Sequence, residues 1–190
     1  MKSFTAEVTE SERLYGDTHA VWFRSPDHLA SATPGQFVMV YAGESHDPLL
    51  GRAFSIYRVR EGARGPEFAV LFDVVGRGTD WLSRRRAGDE VRIVGPLGRG
   101  FEPRERVQKM LLVGGGIGVA PLVWFADQLV AQGREVTMVL GGRTAAQIYP
   151  AALLPSEVEL VVTTEDGSLG ETGRVTAPFQ RLLSWCDQAF

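Results

Sequence analysis

The sequence is short of the residues that several common chemistries need. It has one cysteine, Cys186, in 190 residues. A lone cysteine forms no internal disulfide, closes no zinc-thiolate site and ligates no iron–sulfur cluster by itself. A disulfide-built secreted scaffold is therefore excluded, and a reducing, cytoplasmic setting is expected. Positive charge is not in excess: 20 Lys and Arg stand against 23 Asp and Glu, a net charge of −3. That balance argues against a nucleic-acid partner or an anionic membrane surface. The three histidines, His19, His28 and His46, show no metal-ligand spacing, so no metal site is expected. No Ser/His/Asp or Cys/His grouping marks a hydrolase. Long apolar runs are also missing. The longest uncharged stretch, Met110 to Ala126, is 17 residues and contains four glycines and Pro121. A strand, a glycine turn and a helix explain it better than a membrane span. The N-terminal residues Met1 to Thr5 have no apolar core of a secretory signal.

What is present divides into two rhythms. Residues 1–101 read as short strands: Phe4–Val8, Ala20–Arg24, Phe37–Tyr41, Phe54–Val59, Phe68–Phe72 and Val91–Val94. Turn signals at Ser25-Pro26-Asp27, Pro34-Gly35, Glu61-Gly62, Gly65-Pro66 and Gly88-Asp89 separate them. Six such strands suggest a small antiparallel barrel, interrupted by one helical piece from Thr79 to Arg86. After the charged stretch Glu102-Pro103-Arg104-Glu105-Arg106, residues 102–190 alternate strands and helices. The strands are 110–113, 136–140 and 158–162; the helices are 119–132, 145–154 and one within 173–185. This argues for a parallel α/β sheet. The four tryptophans, Trp22, Trp81, Trp124 and Trp185, are read as core or interface anchors. Arg84-Arg85-Arg86 is read as the basic end of a helix.

Three motifs carry chemistry. The first is Gly114-Gly115-Gly116-Ile117-Gly118-Val119-Ala120-Pro121. Glycines between a strand and a helix let the backbone turn tightly and approach a pyrophosphate, and the helix offers unpaired N–H groups. The helix dipole adds only about 0.3–1 kcal/mol, so several N–H bonds must supply the affinity. The second is Arg52-Ala53-Phe54-Ser55: an arginine able to clamp a phosphate, and a hydroxyl three residues later on an extended strand. The third is Gly76-Arg77-Gly78-Thr79, a strand-to-helix turn with Thr79 as N-cap and so a second anion-binding helix terminus. Each also has a plain reading, as a structural turn, a surface arginine or a capped helix.

The order of these motifs resembles the ferredoxin–NADP reductase superfamily. Thr163-Thr164-Glu165-Asp166-Gly167-Ser168-Leu169-Gly170 and Gly173-Arg174-Val175-Thr176 are most similar to the electron-transfer subunit of type B dihydroorotate dehydrogenase. The resemblance spans about residues 4 to 180. It implies two domains, a six-stranded antiparallel flavin-binding barrel over 1–101 and a parallel α/β nicotinamide-binding domain over 102–190. On that resemblance Arg52, Ala53, Phe54 and Ser55 bind FAD, with Ser55 as the catalytic contact near N5. Leu71, Phe72 and Asp73 line the flavin, and Gly78 and Thr79 hold its pyrophosphate. Gly115, Gly116, Gly118 and Pro121 meet NADH, with Gly142, Arg143, Thr164, Glu165 and Asp166 at the strand ends. Asp73 departs from the pattern, since relatives often carry a basic residue there.

A second departure lies at the C-terminus. Relatives continue through a Cys-Gly-Pro strand and a four-cysteine segment for a two-iron two-sulfur cluster. The sequence ends at Phe190 before both, so the expectation is a domain without cluster ligands, either C-terminally truncated or belonging to a shortened relative with another electron outlet. The implied activity is transfer of a hydride from NADH to FAD and of electrons onward, supporting a dihydroorotate dehydrogenase catalytic subunit in pyrimidine biosynthesis, within a hetero-oligomer. The alternatives are a free-standing NAD(P)H-dependent flavin or ferredoxin reductase, and a non-catalytic flavin-binding partner subunit.

Overall fold

A computed structural model describes residues 2–43 and 50–190. His46 and the side chain of His28 lie outside that description. The chain divides into two compact units, Met1–Phe101 and Glu102–Phe190.

The first unit is a closed barrel of six antiparallel strands. In chain order these are β1 (Lys2–Tyr15), β2 (Thr18–Arg24), β3 (Phe37–Tyr41), β4 (Arg52–Gly62), β5 (Gly65–Asp73) and β6 (Glu90–Leu97); around the barrel they run β1-β2-β5-β4-β3-β6. Glu90-Val91-Arg92-Ile93 shows the sequence logic plainly, with the charged residues exposed and the branched ones buried. Phe23 and Phe68 stack 5.3 Å apart inside, so positions in step with them, including His19 and Phe72, share the inner face. β1 is longer than its alternation suggests. Residues Lys2–Glu7 pair with β6 and Val8–Tyr15 with β2, with register shifts between Val8 and Glu10 and between Arg13 and Tyr15. Such bulges let one strand turn a barrel corner.

A helix, α1 (Arg77–Ser83), joins β5 to β6. It starts two residues earlier than expected and ends three residues sooner. Gly76, not Thr79, is its N-cap, because the Asp80 N–H closes the first helical bond on the Gly76 carbonyl at 2.8 Å. The arginines Arg84 to Arg86 follow the last helical residue, Ser83, and the last turn of α1 carries no basic residue; Arg84 pairs with Asp80, and Arg85 lies over Trp81 and donates to its carbonyl at 3.2 Å.

The second unit is a parallel sheet of order β10-β9-β8-β7-β11, formed by β7 (Lys109–Gly115), β8 (Glu135–Gly142), β9 (Glu159–Thr164), β10 (Glu171–Thr172) and β11 (Gln188–Ala189). Met110, Leu111 and Leu112 are fully buried, as parallel strands covered on both faces require. α2 (Ala120–Ala131) follows a 3-10 turn at Gly116–Val119. The expected helix over 145–154 does not form. Two single 3-10 turns, Ala145–Gln147 and Ala151–Leu153, stand in its place. Pro150 lacks the N–H a helix needs, and it disfavours helical geometry at Tyr149. The last helix is a single turn, α3 (Phe179–Leu182). β11 is held by Asp187, whose Oδ2 accepts the N–H groups of Gln108 and Lys109, both at 2.9 Å, and by Phe190 edge-on to Phe125.

Trp22 and Trp124 are buried, whereas Trp81 and Trp185 are half-buried, each beside a cation. Among the described residues no helix is long and apolar enough to cross a membrane.

Candidate functional site

On the barrel, the arginine motif and the glycine–threonine turn come together. A Cβ built on Gly78 would lie 2.0 Å from Arg52 Nε and 2.2 Å from its Cζ. The guanidinium group therefore lies on the backbone of the first turn of α1, which only a residue without a side chain allows. Arg52 Nη1 also donates to the Leu50 carbonyl. Gly78 and Thr79 precede the first in-helix bond, so their N–H groups have no carbonyl of the helix behind them. A guanidinium above such a terminus is an anion cradle.

The Thr79 hydroxyl is not free to serve a ligand. It accepts the N–H groups of Val75 at 2.9 Å and Gly76 at 3.1 Å and donates to the Gly76 carbonyl at 3.0 Å. What Thr79 can offer an anion is its backbone.

Other expected flavin residues are spent partly on the fold. Leu71 and Phe72 are each 2 % exposed. The Phe72 ring packs on Phe54 at 5.4 Å and His19 at 6.1 Å. Burial holds the His19 imidazole below the ordinary histidine range, and Arg13 adds to this. Asp73 accepts the Thr18 hydroxyl at 2.6 Å. Ala53 is exposed, and Ser55 is half-buried on β4 opposite Phe37.

In the second unit the glycine run separates into distinct jobs. A Cβ on Gly114 would meet Leu122 and Val119 at 3.1–3.3 Å, so this glycine seats the turn and helix on the sheet. Gly115, Gly141 and Thr163 form one register row across β7, β8 and β9. Val175 lies on that row, 2.5 Å from a Cβ built on Gly141 and 3.8 Å from one on Gly115. Gly116, at φ +51°, and Gly118 face open space. These two are the positions where a ligand can approach the backbone, ahead of Pro121 in the first turn of α2.

The rim beside them is a pair of loops tied together. The N–H groups of Glu165 and Asp166 donate to the carbonyls of Gly142 and Arg143, both at 3.1 Å. The Thr164 hydroxyl is buried and bonds both backbone groups of Leu169. The Ser168 hydroxyl and N–H hold the Asp166 carboxyl below the usual aspartate range, and Ser168 Oγ also accepts the Ala145 N–H at 2.8 Å. Arg143 and Glu165 are left as exposed charges on this rim. The sequence reading quoted Ser168 and Val175 within motifs without giving either a role, and it missed Gln147, whose Oε1 accepts the Arg143 N–H at 3.0 Å. Among the described residues no three His, Cys, Asp or Glu side chains gather as a metal site needs.

No family model matches the chain. The dihydroorotate dehydrogenase B (NAD(+)) electron transfer subunit of Desulforamulus reducens is 40% identical over 185 residues, covering 97% of this chain and 70% of the relative. The subunit of the same description from Geobacillus thermodenitrificans is 39% identical over 145 residues, and the match covers 56% of its length. Among solved structures, the NADH-dependent reduced ferredoxin-NADP oxidoreductase superposes with a TM-score of 0.79 at 31% identity, over 94% of this chain and 63% of that one. The ferredoxin reductase of carbazole 1,9a-dioxygenase has the same fold, with a TM-score of 0.79 at 23% identity over 96% of this chain and 57% of that one. With the barrel, the parallel sheet and nearly the whole length in agreement, the chain belongs to the family of dihydroorotate dehydrogenase B electron transfer subunits, on a ferredoxin–NADP reductase-like fold.

Proposed function

We propose that the chain is the electron-entry module of a flavoenzyme. Residues 1–101 hold FAD, residues 102–190 take NADH, and electrons pass on to a dihydroorotate dehydrogenase catalytic subunit within a cytoplasmic hetero-oligomer. The observation that carries this is Arg52 lying on Gly78 at the start of α1. A cradle made of a cation, a helix terminus and a missing side chain suits a pyrophosphate between two larger groups. FAD, when bound, accepts the hydride of NADH and gives up the two electrons singly.

The chain's own residues do the rest. Arg52 and the N–H groups of Gly78 and Thr79 bind the FAD pyrophosphate. Ser55 would hydrogen-bond the ring near the nitrogen that receives the hydride, while Ala53, Phe54, Leu71 and Phe72 would shape the ring's bed. In the second unit Gly116, Gly118 and the first turn of α2, stiffened by Pro121, bind the dinucleotide. Gly115 keeps the strand end narrow. Gly142, Arg143, Thr164, Glu165 and Asp166 form the ribose side. The Glu165 carboxylate repels a 2′-phosphate and so favours NADH over NADPH.

The purified chain is expected to turn yellow with FAD at one equivalent and to oxidise NADH with an artificial electron acceptor. It is also expected to co-purify with a dihydroorotate dehydrogenase catalytic subunit. A chain that stays colourless at saturating FAD refutes the reading. Flavin binding without turnover leaves a non-catalytic partner subunit. Turnover without any association with the catalytic subunit leaves a free-standing reductase.

A further inference from the structure

The loop leading into the anion cradle is anchored by the opposite hairpin. Asp73 ends β5 and Thr18 begins β2 directly across from it. The Thr18 hydroxyl donates to Asp73 Oδ1 at 2.6 Å, a charge-assisted length. Tyr15, the last residue of β1, pairs with Thr18 across the turn; burial pushes its phenol up to about 12, and the Asp73 charge acts in the same direction.

The following residues are tied as well. The Val74 N–H donates to the Asp17 carbonyl at 3.1 Å, and those of Val75 and Gly76 go to Thr79 Oγ1. Every residue from Asp73 to Gly76 thus carries a bond that fixes the approach to α1.

We propose that the Thr18–Asp73 hydrogen bond positions the pyrophosphate cradle: Asp73, as the acceptor for Thr18, sets where the 74–79 segment begins and so keeps Gly78 beneath Arg52. Thr18 and Asp73 are positioning residues, and the inference rests on the FAD reading above. It makes Asp73 a residue with two opposed effects. Its hydrogen bond orders the loop, while its negative charge repels a bound diphosphate. Substitution separates them, because asparagine keeps an acceptor for Thr18 and drops the charge.

The test is FAD affinity of the full chain, measured by flavin fluorescence, with circular dichroism and melting of each variant without FAD. Thr18→Val and Asp73→Ala are expected to raise the FAD Kd about tenfold, or 1.4 kcal/mol. Thr18→Ser restores binding, and Asp73→Asn binds as tightly as the unmodified chain or more so. Folded Thr18→Val with unchanged affinity overturns the proposal. So does Asp73→Asn as weak as Asp73→Ala, because the charge would then be what matters. If Thr18→Val does not fold, the comparison of the two Asp73 variants decides. Failure of the unmodified chain to bind FAD removes the functional reading and this inference together, whereas FAD binding that no Thr18 or Asp73 variant disturbs removes this inference alone.

Discussion

Replacing Gly78 with alanine separates stability from cofactor binding. The new Cβ would lie 2.0 Å from Arg52 Nε, 2.2 Å from Cζ and 2.7 Å from Cδ. All three are atoms of a flexible side chain, so the guanidinium swings away and the backbone stays. Gly78 is inside α1, where alanine is preferred to glycine by about 1 kcal/mol. The protein without FAD therefore keeps its stability or gains up to that amount. FAD binding moves the other way. Losing a charge-assisted hydrogen bond to phosphate costs about 1.5–3 kcal/mol, which is about a 10- to 150-fold rise in Kd. Fluorescence titration with FAD, run beside thermal unfolding of the same samples without it, reads both quantities. In an Arg52→Ala background the Gly78→Ala change costs nothing further, since the cation it displaces is already gone. Wild-type affinity in Gly78→Ala, or full additivity with Arg52→Ala, would show that the Arg52–Gly78 contact does not hold the FAD phosphates.

Three other perturbations test the framework. Gly141→Ala drives a Cβ to 2.5 Å from Val175 Cβ and 3.1 Å from Val175 Cα; crowding of that kind costs about 1–3 kcal/mol, visible as a lower urea midpoint of the second unit with FAD affinity unchanged. Tyr15 has its folded pKa raised from 10.0 to about 12, so its contribution to stability is complete below pH 10 and is lost as pH rises from there to about 12. Tyr15→Phe flattens that part of a denaturation-versus-pH curve. Backbone N–H groups of Lys109, then Gln108, hold the Asp187 carboxyl below the ordinary 3.8. Its contribution is present above that value and lost as pH falls through the lowered folded value. Amide exchange at Gln108 and Lys109 therefore quickens in acid, and Asp187→Asn removes the acid dependence at these two amides.

The barrel could be read from alternation wherever one strand face meets the core, as at Glu90–Ile93. It could not be read over Thr9–Tyr15, where bulges break the period and polar residues occupy both faces. The edge strands β10 and β11 are two residues each, too short to carry any pattern. The failed helix over 145–154 was a conflict between good helix formers and Pro150, and the proline prevailed. In the site, the sequence presented Arg52 and Gly78 as separate motifs. Their meeting is a tertiary fact, set by where β4 starts relative to the β5–α1 turn. The glycine run 114–118 reads as one motif, yet Gly114 seats a helix, Gly115 faces Val175, and only Gly116 and Gly118 are open. Such a division depends on which neighbour approaches each Cα, and local sequence does not record it.

The two-way pairing of β1 has a consequence for synthesis on the ribosome. Lys2–Glu7 emerge well before their partner β6, which lies about ninety positions later. At a translation rate of about 5–20 residues per second, that half-strand waits roughly 5–18 s with its backbone groups exposed, while its other half already has β2 to pair with. The nascent chain is thus open to chaperones, or to a neighbouring nascent chain, along Lys2–Glu7, and release from that state is timed by the arrival of Glu90–Gly95.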